Sequence, residues 1–231
     1  MGDGKDERIG IGGVFPADDP DGSKAKAKLD KVLGTDKPCF VGLDMSMAAT
    51  GFAMKRGDVV TMETIKTTPR TCEHDLARLR YITDEVMQRI PKDVKMIGIE
   101  DFFTPQNPFQ IGAAIGLAML GATVRMALYE AGYSFFVISP GQIKKFATGK
   151  GSGQKSIVVR EVYKRWGLEA KDDNQADASV LAFLAEALTK PGEDRPQYQK
   201  EVVKTVLADR PRYNVTTFPN LSITLAAAPK A

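Results

Sequence analysis

Sulfur and imidazole ligands are scarce in this chain. Its 231 residues hold two cysteines, Cys39 and Cys72, and one histidine, His74. No zinc cluster can be built from that set. A Ser-His-Asp triad would have to rest on His74, and nothing around it forms a nucleophile elbow or an oxyanion motif, so His74 reads as an exposed helix residue. A disulfide framework is excluded as well, and a reduced, cytoplasmic setting is the natural expectation. Charge of one sign is missing too: the net charge of +3 is too small to mark a nucleic-acid binder, and only its distribution could. The N-terminus is polar and rich in Gly and Asp, which does not read as a secretory signal. The longest apolar stretch, Ile111 to Val124, falls short of a bilayer span and is full of Gly and Ala. It reads as a buried core helix, and no membrane partner is expected. What is present is ordinary for a globular protein: 43% hydrophobic and 26% charged residues, enough chain for one domain with a real core plus tails.

Along the chain, residues 1–36 are rich in Gly, Asp and Lys without periodicity and predict a disordered arm. A folded domain is expected over 37–190. Strands are predicted at Phe40–Met45, Thr50–Lys55, Val59–Lys66, Val94–Glu100 and Ser134–Ile138, with a hairpin turn at Arg56-Gly57-Asp58. Leu76, Leu79, Ile82, Val86 and Ile90 recur at helical spacing after a candidate N-cap at Thr71. Further helices are expected at Phe109–Ala131, Gln154–Trp166 and Gln175–Leu188. Pro140 is read as the stop of the fifth strand and the start of a Gly- and Lys-rich loop. Residues 191–231 read as a tail or accessory arm with one short amphipathic piece, Tyr198–Leu207. This order gives an α/β fold, a five-stranded mixed sheet flanked by helices. If the first and fourth strands are adjacent and parallel, their C-terminal acids end on one edge.

Those acids are the main chemical signal. Asp44 closes Phe40-Val41-Gly42-Leu43-Asp44, Glu100 closes Met96-Ile97-Gly98-Ile99-Glu100, and Asp177 lies in the helical run Ala176-Asp177-Ala178. An acid ending an apolar strand is costly unless it is paired or binds a cation. Three such acids suggest an oxygen cage for a hard divalent ion, although each one alone reads better as an ordinary strand-end or capping acid. A second signal is Ser139–Lys171. It holds Lys144, Lys145, Lys150, Lys155, Arg160, Lys164, Arg165 and Lys171 against Glu161 and Glu169, a local excess of +6. Gly149, Gly151 and Gly153 let the backbone approach a phosphate chain. A solvated basic helix face would account for Lys164 and Arg165 equally well. Phe102-Phe103 directly after the second acid could stack on unpaired bases or pack in the core. The small-residue turn after Asp44, running to Thr50-Gly51, also looks like a phosphate loop of actin-like ATPases.

Taken together these segments resemble the RuvC family of Holliday-junction resolvases, in particular its phage-encoded branch. The resemblance is carried by Ser139-Pro140-Gly141-Gln142-Ile143-Lys144-Lys145, by Gly149-Lys150-Gly151-Ser152-Gly153-Gln154-Lys155 and by Asn174-Gln175-Ala176-Asp177-Ala178, in order, over roughly Phe40 to Leu188. It implies an RNase H-like fold, a homodimer, and Mg²⁺-dependent nicking of branched DNA, with Mn²⁺ able to substitute. Four-way junctions, flaps and forks are all candidate substrates. Carried over position by position, it implies that Asp44, Glu100 and Asp177 are metal ligands. It also implies that Lys155 faces the scissile phosphate, that Lys144 holds the backbone, and that Phe103 stacks near the crossover. Lys145 and Lys150 belong to the same DNA-binding set.

Two departures stand out. Asn174 occupies a position where the family usually has a fourth acid. Its amide oxygen can coordinate, and it shares a helix face with Asp177, whereas Asp173 is turned away by about 100°. Met45-Ser46-Met47 replaces the family's more usual turn. Two other readings stay open: a branched-DNA-binding protein with little or no nuclease activity, motivated by Asn174, and an ATPase, which would need a second copy of the Asp44 loop in a related domain.

Overall fold

The structure, a computed structural model, describes residues 36–68, 74–102, 105, 107–152 and 155–208. The arm expected over 1–36, the cap expected at Thr71 and the far end of the expected tail therefore lie almost wholly outside the described residues. The chain divides into Met1–Lys37, of which Asp36 and Lys37 are described, and Pro38–Ala231, which holds the sheet.

Five strands form that sheet: β1 (Cys39–Asp44), β2 (Ala49–Arg56), β3 (Val59–Lys66), β4 (Val94–Glu100) and β5 (Phe135–Ile138), in the order β3-β2-β1-β4-β5. The β1–β2 and β2–β3 pairs are antiparallel, and the β1–β4 and β4–β5 pairs are parallel. This is the expected mixed sheet. The helices are α1 (Asp75–Arg89), α2 (Ile111–Glu130, preceded by a 3₁₀ turn at Pro108–Gln110), α3 (Pro140–Thr148), α4 (Lys155–Trp166), α5 (Asp173–Thr189) and α6 (Gln197–Ala208). The β1–β4 register, Phe40↔Met96 through Leu43↔Ile99, is reached by a bulge: Cys39 pairs with Val94, so Lys95 is an extra residue in β4.

β1 is central and buried at all six positions, which is why its sequence is apolar without alternation. Alternation nevertheless sorts the side chains onto two faces. Phe40, Met96, Phe136 and Ile138 join Val180, Leu181 and Leu184 of α5 and residues of α3, α4 and α6 in one core. Val41, Leu43, Ile97, Ile99 and Phe135 join α1 and α2 in the other. Each such fully buried side chain contributes about 1.5–3 kcal/mol relative to exposure.

α5 comes unusually close to the sheet. A Cβ placed on Gly42 would lie 1.9 Å from the Ala178 carbonyl oxygen, one on Gly51 would lie 2.1 Å from the Asn174 carbonyl oxygen, and one on Gly98 would lie 2.9 Å from that of Leu181. Three adjacent strands thus present glycine beneath one helix, and this fixes where α5 crosses.

Four local expectations change. Pro140 opens a helix rather than a loop, because at N1 its missing N–H and fixed φ suit a helix start, and Ile143, Phe146 and Ala147 supply a buried face. His74 caps α1, its Nδ1 accepting from the Ala77 amide at 3.1 Å. α2 is not a buried core helix: Ala114, Leu120, Gly121, Val124 and Leu128 are buried, but Ile111, Ile115, Met119, Met126 and Tyr129 are exposed. By length and composition alone, Pro108–Glu130 would be long enough to cross a bilayer, a test that core helices also pass. Finally, part of the stretch read as a tail is α6, whose Val202, Val203 and Val206 lie in the same core as Phe40.

Candidate functional site

The C-terminal ends of β1 and β4 meet at one edge of the sheet. Leu43 pairs with Ile99, so Asp44 and Glu100 follow side by side on neighbouring strands, which stand about 4.8 Å apart. Asp44 shares the parity of Phe40 and Gly42, and Glu100 that of Met96 and Gly98, so both acids project on the α5 face. Asp44 is buried, at 7% exposure, and Glu100 is half-buried.

Across that edge lies the first turn of α5. The Asn174 backbone rests on Gly51, which pairs with Asp44, and the Ala178 backbone rests on Gly42. Asp177, half-buried, lies between those two contacts along the helix, and Asn174 stands one turn before it. The positive end of the helix dipole adjoins an edge that gathers negative charge.

A braced helix start sets this geometry. Asp172 is the N-cap of α5: its Oδ1 accepts from the Gln175 amide at 2.8 Å, while its Oδ2 accepts from the Thr64 hydroxyl of β3 at 2.7 Å. The Gln175 side-chain amide donates to Thr64 Oγ1 at 3.1 Å, and its Oε1 accepts from the Lys171 amide at 3.2 Å. Thr64, Asp172 and Gln175 were not anticipated as contributors to the site. The spacing Asp172-x-x-Gln175 is a capping-box signature and could have pointed to the two on the helix. The turn after Asp44 is closed locally, with the Thr50 hydroxyl donating to the Ser46 carbonyl at 2.7 Å and accepting from the Ser46 amide at 3.1 Å.

The expected acids therefore share an edge and a face, but they are not drawn into a ready cage. Among the described residues no three His, Cys, Asp or Glu side chains converge closely enough to hold a metal ion. The donor set of Asp44, Glu100, Asn174 and Asp177 consists of oxygen alone, which suits a hard divalent ion. Asp173, the alternative to Asn174, is the first residue of α5.

The basic residues separate into two groups. Lys144 and Lys145 stand on α3, half-buried, and Lys150 is exposed in the loop after it. Lys145 is engaged by Glu201 of α6 at 2.9 Å, and that ion pair holds the Glu201 carboxyl below its ordinary pKa. Lys144 and Lys150 have no ion-pair partner among the described residues. Lys155 begins α4. Its side chain and all of Phe103 lie outside the described residues, and Phe102 is exposed.

The family model of the crossover junction endodeoxyribonuclease RuvC matches residues 40–188, from β1 almost to the end of α5. The chain belongs to the RuvC family. The crossover junction endodeoxyribonuclease RuvC of Treponema denticola is 30% identical over 167 residues, covering 69% of this chain and 91% of that protein. The RuvC of Wolinella succinogenes is 28% identical over 161 residues, covering 66% and 96%. In fold, the chain matches Thermus thermophilus RuvC in complex with a Holliday junction substrate, with a TM-score of 0.54 at 20% identity over 67% of this chain and 96% of that one. A second Thermus thermophilus RuvC structure gives 0.53 at 22% identity. RuvC proteins are divalent-metal-dependent hydrolases, and α6 lies C-terminal to the part of this chain that the RuvC model matches.

Proposed function

We propose that this RuvC-family chain is a structure-selective DNA endonuclease that resolves four-way junctions or related branched DNA by phosphodiester hydrolysis. Mg²⁺ is the working ion, and Mn²⁺ can substitute. Asp44, Glu100 and Asp177 supply carboxylate oxygens and Asn174 a neutral amide oxygen. When bound, the divalent ion supplies activation of a water and stabilisation of charge on the leaving oxygen. Lys155 stabilises charge developing on the scissile phosphate, Lys144 and Lys150 hold the backbone, and Phe103 stacks at the crossover. The observation that carries this reading is the adjacency of Asp44 and Glu100 on one face, with the first turn of α5 crossing above them.

The working form is a homodimer, which offers two equivalent sites to the two equivalent strands of a junction. Support for this comes from α2, where Ile115, Met119, Met126 and Tyr129 are exposed at alternating four- and three-residue steps, with exposed Ala122 completing the stripe. Such a stripe is the pattern of a helix seam with a partner.

Asp44→Asn is expected to reduce nicking of a four-way junction in Mg²⁺ by about 10³-fold or more, with junction binding retained. Normal cleavage by that variant would show the site to be misassigned. Asn174, in place of an acid, is the one feature that favours a protein that binds without cutting. Divalent-dependent nicking of a panel of branched DNAs by the wild-type chain would eliminate that reading.

A further inference from the structure

We infer that α6 is a positioning element for the basic loop after α3. It acts through Tyr198 and Gln199, neither of which lies in the part of the chain that the RuvC model matches. This rests on the reading of Lys150 as a phosphate contact.

Three contacts tie α6 to the C-terminal half of α3. The Gln199 side-chain amide, buried, donates to the Phe146 carbonyl at 3.0 Å, and so satisfies one of the carbonyls that a helix end leaves without an internal partner. Glu201 holds Lys145. The Tyr198 ring lies beneath Gly149, where a Cβ would come within 3.5 Å of it, and the Arg165 guanidinium stands over that ring at 5.2 Å.

Gly149 is the residue that turns the chain out of α3. It has φ +83°, and its amide donates to the Lys145 carbonyl. Immediately beyond it the Lys150 amide donates to Thr148 Oγ1 at 3.1 Å, and Gly151 folds back against Gly141 at the start of α3. The conformation that presents Lys150 is therefore fixed at its root by residues of α6. The Tyr198 hydroxyl is buried with no hydrogen-bond partner among the described residues, so the ring, not the hydroxyl, does the bracing.

The test is a double-mutant cycle on the full-length protein, reading affinity for an immobile four-way DNA junction in EDTA over a salt series, with thermal unfolding measured alongside. Lys150→Ala should weaken binding about five-fold and lower the slope of log K against log salt by about one. Tyr198→Ala should do the same, and the double variant should be no worse than either single one, because both remove the same contact. Tyr198→Phe should behave as wild type. Additive losses in the cycle, undiminished binding by Tyr198→Ala, or a Tyr198→Phe defect equal to that of Tyr198→Ala would each overturn the role of α6 while leaving Lys150 as a phosphate contact. If Lys150→Ala alone binds as tightly as wild type, the phosphate reading itself falls, and this inference falls with it. Should Tyr198→Ala fail to fold, Gln199→Met takes its place in the cycle with the same expected outcome.

Discussion

Against one face of the sheet α5 lies so close that three strands must present glycine to it. Against the other, α1 and α2 stand off on Leu, Ile and Val side chains, and the outer side of α2 faces away with its own apolar residues exposed. Both arrangements bury area, but only the first leaves no freedom in where the helix crosses. Close backbone contact is how Asn174 and Asp177 are held over Asp44 and Glu100. Side-chain packing on the other face tolerates adjustment, and the outer side of α2 stays apolar and exposed.

Filling the glycine trough should break this contrast most sharply. Gly42→Ala places a methyl group against backbone atoms of Ala178 and Ala182, which cannot rotate aside. It should cost about 3 kcal/mol in chemical denaturation and take nicking down with it. A cost within about 0.5 kcal/mol would mean that α5 does not sit as close as described.

The next largest effect concerns the ionic clamp at the far end of the same face. Lys55 Nζ contacts Glu186 Oε2 of α5 at 2.7 Å and the Gly57 carbonyl at 2.7 Å, with both ion-pair partners largely buried. Glu186→Gln leaves a buried ammonium without its counter-charge and should cost about 2 kcal/mol, and Lys55→Met in the same chain should restore most of it.

The clamp also sets an acid limb. Burial works to raise the Glu186 carboxyl, but hydrogen bonds and charge from Lys55 and then Lys190 outweigh it and hold its pKa down. The hydrogen bond from Arg56 does the same for Asp93. Acids depressed in the folded state stabilise above their unfolded pKa, and that contribution is lost as pH falls through the folded value. The thermal midpoint should therefore drop below about pH 4, less steeply in Glu186→Gln.

Smallest in stability terms is the other face. If the proposed dimer forms through α2, Ile115→Asp should shift sedimentation from dimer to monomer while changing the unfolding of the monomer by no more than about 0.5 kcal/mol, since Ile115 is exposed on it. A variant that remained dimeric would move the seam elsewhere.

The five strands, their mixed sheet and the acids that close β1 and β4 were legible in the chain because each rests on a local pattern: an apolar run, a closing acid, a helical period; the parallel β1–β4 pair was only permitted by that pattern. The faults came where one residue type has two uses. Pro140 both ends a strand and opens a helix, and the sequence around it reads as loop until the buried face of Ile143 and Phe146 is counted. Gly42, Gly51 and Gly98, where a Cβ would overlap the backbone of α5, look like ordinary strand residues until a helix is laid across them. The amphipathic piece that forms α6 was legible, but its docking was not: its partner carbonyl at Phe146 is 53 residues away, and no periodicity reports a tertiary hydrogen bond.

The bulge at the start of β4 has a bearing on the opposite end of that strand. Had Phe40 paired with Lys95, Ile99 would stand beside Asp44, and Glu100 would fall one step out of line. With Lys95 looped out, the two acids arrive level. The alignment of the two carboxylates is thus set five residues upstream of them, and drawing Lys95 into regular pairing with Phe40, not deleting it, is what would put them out of step.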